Sequence, residues 1–71
     1  MRIIKLSTFD KYFIAITDDM YILTTGEIIN WDTAMDDIGF EQLNELTYFN
    51  TKEEAQHIYD KIAKIHPEYT I

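Results

Sequence analysis

The chain has 71 residues, 13 Asp and Glu against 6 Lys and Arg, a net charge of −7 and no cysteine. That length is one small domain (1–71) that buries roughly 60% of its unfolded surface, so its stability is marginal and disulfides cannot assist it. The acidity argues against direct nucleic-acid binding, which needs Lys and Arg to neutralise phosphates, and favours a basic partner.

The charge is unevenly placed. Residues 12–51 contain no Lys or Arg and eight acids, so this segment carries −8, while 1–11 carries +2 and 52–71 carries −1. Hydrophobic residues reach 46% and aromatics 14%, a folded composition. No apolar run approaches the roughly 20 residues of a membrane helix. The start, Met1-Arg2-Ile3-Ile4-Lys5-Leu6-Ser7, lacks the apolar core of a signal peptide. The expectation is a soluble, cytoplasmic protein without a membrane partner.

In chain order, Arg2 to Ser7, Tyr12 to Thr17, Met20 to Thr24 and Glu27 to Trp31 read as four short strands with hairpin-length connections. Thr8 to Lys11, Asp18-Asp19 and Thr25-Gly26 supply the turns. The spacing predicts an antiparallel meander of three or four strands.

Asp32 or Thr33 is a candidate helix cap. Beyond it, Met35, Ile38, Gly39, Gln42, Leu43 and Leu46 share one broad helical face. Asp37, Glu41 and Glu45 share another, at i, i+4 and i+8. Gly39 weakens a continuous helix by about 1 kcal/mol, so a turn followed by a helix over 40–46 is an equal alternative.

Thr47 to Asn50 reads as extended, with Tyr48 and Phe49 placed under the last helix. Thr51-Lys52-Glu53-Glu54 has the form of a capping box. Ala55, Ile58, Tyr59, Ile62, Ala63 and Ile65 then make one apolar face, and Pro67 stops the helix near Ile65.

The predicted class is α+β: an antiparallel sheet, a short acidic helical connection and a C-terminal helix packed on one face. Strands two and three are apolar on both faces, yet one helix covers one face. Either the sheet curls, in an SH3-like way, or its free face meets another chain, most simply a second copy in a homodimer.

Catalytic signatures are absent. Ser7 is the only serine and has no identifiable His–acid partner, and two glycines do not make a phosphate loop. His57 has Glu53, Glu54 and Asp60 at helical spacing, but no second His follows at i+4. Asp32, Asp36, Asp37 and Glu41 match no calcium-loop spacing. The chain reads as a non-enzyme with no metal and no cofactor.

The candidate partner-binding residues are Trp31, Asp32, Asp36, Asp37, Glu41 and Glu45. Like charges at i and i+4 repel, and no base relieves them here. On one helix they would form a line advancing about 6 Å per step, which a phosphate-binding groove could accept. Trp31 is either an anchor at the core edge or an interface hot spot.

The function these features favour is a small acidic interaction module. It binds, and inhibits or regulates, a basic protein, in its most concrete form as a nucleic-acid mimic. The composition suits a small accessory protein from an AT-rich genome, such as a bacteriophage. The alternative is a self-associating structural domain whose acidity serves only solubility.

Overall fold

The computed structural model describes residues 1–70. It contains β1 (Arg2–Lys5), β2 (Tyr12–Ala15), β3 (Met20–Ile22), β4 (Ile28–Asn30), α1 (Trp31–Ile38), α2 (Phe40–Thr47) and α3 (Lys52–Ile65), followed by a 3₁₀ turn over Pro67–Thr70. The strands form one open antiparallel meander in the order β1-β2-β3-β4. The predicted class and order hold, with each strand two residues shorter than the stretch read for it in the sequence.

Local chemistry explains the turns. Between β2 and β3, the Thr17 hydroxyl accepts from the backbone N–H groups of Asp19 and Met20. Between β3 and β4, Gly26 N–H donates to the Leu23 carbonyl at 2.9 Å, and Leu23 N–H donates to Glu27. Gly26 has φ +92°, the left-handed residue that a three-residue hairpin loop requires.

The register produces two cores. Ile3 pairs with Ile14, Ile14 with Ile22, and Ile22 with Ile28, so four isoleucines cross the sheet on one face. Strand alternation puts them all under α3, where Ile14, Ile22, Phe49, Ala55 and Ile62 are buried together. The alternate positions Leu23 and Ile29 face the other way and pack with Ala34, Leu43 and Leu46 of α1 and α2. The molecule therefore has three layers: α3, the sheet, and the α1–α2 pair.

This corrects the expectation of a bare second face. The sheet does not close, and the α1–α2 connection lies over its β3–β4 end. What the sequence presented as a short acidic helical connection is a packed layer, because Ala34, Leu43 and Leu46 lie on the helix faces turned towards Leu23.

Residues 47–50 make a short further pairing. Tyr12 and Phe49 exchange backbone hydrogen bonds of 3.0 and 2.7 Å, which sets Phe49 beside β2. Phe49 is buried under α3 as expected, but Tyr48 points to the opposite face, where its ring lies 6.0 Å from Phe13. An extended backbone sends neighbours to opposite sides, so the two cannot share one core.

α3 starts where the capping residues require. Thr51 accepts from the Glu54 N–H at 3.2 Å. Ala55 and Ile62 are buried, and Ile58, Tyr59 and Ala63 are half-buried. Ile65 departs from the predicted face, being 60% exposed. The 3₁₀ turn then returns the chain to its start: the Met1 amino group donates to the Tyr69 carbonyl at 2.6 Å, and the Tyr59 hydroxyl donates to the Met1 carbonyl at 3.2 Å.

Candidate functional site

The acidic residues singled out above lie on α1 and α2. The entry to α1 is fixed by Trp31, whose N–H donates to the Asp19 carbonyl at 2.7 Å. The cap is Asn30, not Asp32 or Thr33: its Oδ1 accepts from the Thr33 N–H at 3.3 Å. The shift follows from β4 running directly into α1, which makes Asn30 the last extended residue. Asp32 instead occupies the first turn, where the helix dipole favours an anion.

Gly39 ends α1 and begins α2. Its φ of +93° and ψ of 158° lie in a region that glycine alone occupies readily. Its N–H donates to Met35 and its carbonyl accepts from Leu43, both at 3.0 Å, so it serves both helices while redirecting the chain. Of the two alternatives for this segment, the structure adopts the broken one.

That break changes the acidic stripe. Asp37 is on α1, whereas Glu41 and Glu45 are on α2. The three do not form an evenly stepped line on one helix, so the regular spacing that suggested phosphate mimicry is lost. What survives is segregation of charge. Asp32, Asp36, Asp37, Glu41 and Glu45 are all exposed. Among the described residues the ion pairs are Lys5–Asp10 at 3.6 Å and His66–Glu68 at 3.0 Å, and neither touches this layer. The bases sit elsewhere, on β1 and its following turn (Arg2, Lys5, Lys11) and on α3 (Lys52, Lys61, Lys64).

Trp31 is half-buried between the two functions proposed for it. Its ring packs against the second core and meets Tyr21 edge-to-face at a centroid distance of 5.3 Å. Tyr21 in turn lies 5.7 Å from Phe13. The sequence reading missed Phe13 and Tyr21 as neighbours of Trp31. The signal was the register, since alternation places Phe13, Tyr21 and Ile29 on the face opposite the isoleucine row.

The other polar candidates stay apart from this layer. His57 is exposed on α3 beside Asp60, Lys61 and Lys64. Among the described residues, no three of His, Asp and Glu come together in a geometry able to hold a metal ion. His66 Nδ1 lies 3.0 Å from the Glu68 carboxylate. The backbone N–H at Glu68, and then His66, hold that carboxyl below its ordinary value. No helix of the described residues is long and apolar enough to cross a membrane.

Comparison of the chain with protein-family models, with curated proteins and with solved structures finds no match in any of the three.

Proposed function

We propose that this protein is a small acidic interaction module, without catalytic chemistry of its own, whose α1–α2 layer docks on a basic protein surface and so inhibits or regulates its partner. The observation that supports the reading is the set of five exposed carboxylates on 17 consecutive helical-layer positions, 31–47, with no ion pair to any of them among the described residues. A layer built for stability alone would gain from mixed signs, because like charges on neighbouring turns repel. Nucleic-acid mimicry is the narrower form of this proposal. It now draws only on the density of negative charge.

Binding of this kind weakens steeply with salt, because exposed charges are screened within about 8–10 Å at physiological ionic strength. The test is capture of basic proteins from a cell lysate at low and then high salt, with the triple variant Asp37→Lys, Glu41→Lys, Glu45→Lys alongside. Salt-sensitive capture that the variant loses supports the reading. Capture indifferent to both salt and charge reversal refutes it.

Self-association is the second reading, with acidity serving dispersal. It draws on Phe9, Phe40 and Ile65, which are 65%, 58% and 60% exposed. Sedimentation equilibrium decides it: one monomer mass across the concentration range rules out the homodimer.

A further inference from the structure

The α1–α2 layer covers only part of the second sheet face. Its core takes Leu23 and Ile29 from the β3–β4 end and nothing from β1 or β2. The other half of that face carries Ile4, Leu6, Phe13 and Tyr21, with Tyr48 beside Phe13. All five are half-buried, and none belongs to either core cluster. The face is therefore a step: a bare apolar half, and beside it a raised helical layer.

The step is also divided by charge. The bare half ends at β1, the open edge of the sheet. Arg2 and Lys5 lie on β1, Arg2 on the bare face itself, and Lys11 follows in the next turn. Their charge is little used within the chain. Among the described residues Arg2 makes no ion pair, Lys5 pairs with exposed Asp10, and the Lys11 ammonium donates to the neutral Asn50 amide. The raised layer has no base. Asn44 lines a hollow with Leu6, Lys11 and Tyr48, which identifies the side of α2 turned to the bare half. Glu41 lies one turn before Asn44 on that side, and Glu45 lies next to it. At the other end of the strands, the Tyr21 hydroxyl donates to the Asp18 carbonyl and Trp31 N–H to the Asp19 carbonyl. These bonds hold the Asp18–Asp19 turn against the step.

The β1 edge supplies an independent observation. Leu6 N–H donates to the Lys11 carbonyl, so by alternation Arg2 and Ile4 turn their backbone groups to β2. Ile3 and Lys5 turn theirs away from the sheet. An unpaired edge of this kind is commonly protected by a packed helix.

We propose that two copies of this chain interlock through the step, about a two-fold axis parallel to the strands. Rotation about that axis turns one face onto the other and keeps like strand ends together. The bare halves then lie on each other, and the raised layer of each copy stands beside the β1 edge of the other. An axis across the strands would instead set layer against layer and hold the sheets apart. With the axis along the strands, Arg2 approaches the Asp18–Asp19 turn of the second copy, and Lys5 approaches its Glu41 and Glu45. Both meetings occur twice, as an isologous interface requires. The proposal rests on the self-association reading and gives it a face, with part of the acidity as countercharge. Asp37 lies on the β4 side of α1, beside Ile29 and Asn30, and stays outside this interface for a basic partner.

The test is sedimentation equilibrium of the full chain over a concentration series, at low and high salt. The expected result is a monomer–dimer equilibrium that salt weakens. Arg2→Glu with Lys5→Glu makes both halves of the step acidic. Asp18→Lys with Glu41→Lys and Glu45→Lys makes both basic. Each variant alone dimerises about ten-fold more weakly or worse. Their equimolar mixture restores the dimer, because unlike edge and layer then meet at both sites, and this recovery shows that both variants are folded. Ile4→Thr weakens the dimer about five-fold while its salt dependence persists. A monomer at every concentration overturns this interface and the self-association reading together. A dimer indifferent to all these substitutions overturns the interface and leaves self-association standing. Loss in both charge variants without recovery on mixing overturns the interlock, as does growth beyond the dimer, which a closed two-fold excludes.

Discussion

Ile14 and Ile22 are Cα partners across β2 and β3, and neither exposes any surface. They are the centre of the isoleucine row that α3 covers. Replacing Ile14 by Ala removes buried methyl groups and leaves a void that a rigid three-layer packing closes only in part. The expected loss is about 2–5 kcal/mol, against a total of roughly 4–10 kcal/mol for a domain of this length. Urea denaturation should show Ile14→Ala largely unfolded at low denaturant, whereas Ile14→Val loses about 1 kcal/mol.

Gly39 offers a cleaner backbone test. A Cβ there would meet nothing within 4 Å, so no clash opposes substitution. Its φ of +93° with ψ of 158° nevertheless strains any L-residue. Gly39→Ala should therefore cost about 1–3 kcal/mol through conformation alone. An unchanged unfolding midpoint would show that the α1–α2 corner relaxes into another geometry.

The acidic layer predicts that stability and binding separate. Asp37, Glu41 and Glu45 are exposed and take part in no ion pair among the described residues, so reversing them breaks no ion pair. Asp37→Lys, Glu41→Lys, Glu45→Lys should stay folded with a thermal midpoint close to that of wild type, since the relief of repulsion is offset by loss of the Glu41 carboxylate from the first turn of α2, while salt-sensitive partner binding disappears. Loss of the fold in this variant would show that the carboxylates have structural partners.

Thr51 caps α3 through its hydroxyl. Thr51→Ala leaves the Glu54 N–H without that acceptor and should destabilise the protein by about 1 kcal/mol. Thr51→Ser keeps the acceptor and should restore most of the loss, read from denaturant midpoints.

Glu68 gives an acid dependence whose direction follows from its pKa. The carboxyl is held below its ordinary value of 4.5, first by its backbone N–H and next by its hydrogen bond with His66. A carboxyl with a lower pKa in the native state stabilises the fold above the unfolded value and loses that contribution as pH falls through the native value. Wild type should therefore exceed Glu68→Gln slightly above pH 4.5, and the two should converge in stronger acid. Thermal midpoints measured across that range check it. The effect is small because the side chain is in water.

The elements were legible wherever one local rule operated alone. Thr51 and Pro67 bound α3 because capping and the missing proline N–H act within a few residues. The four strands and their order follow from apolar runs separated by short polar turns, since hairpin-length loops force antiparallel neighbours. Asn30 was missed as a cap because its role depends on β4 continuing straight into α1. Trp31, Asp32, Asp36, Asp37, Glu41 and Glu45 were found as a charged region, but their arrangement was misread as one line.

By itself, the sequence determined the α+β class, the meander, the terminal helix and the concentration of acid in 12–51, because periodicity, capping and charge are properties of neighbours along the chain. Only the tertiary structure decided which face each aromatic takes, that Gly39 splits the acidic segment into two helices, and that these helices form the third layer. Those outcomes depend on contacts between residues distant in sequence, such as Leu23 with Leu43 and Phe13 with Tyr48, which no local pattern encodes.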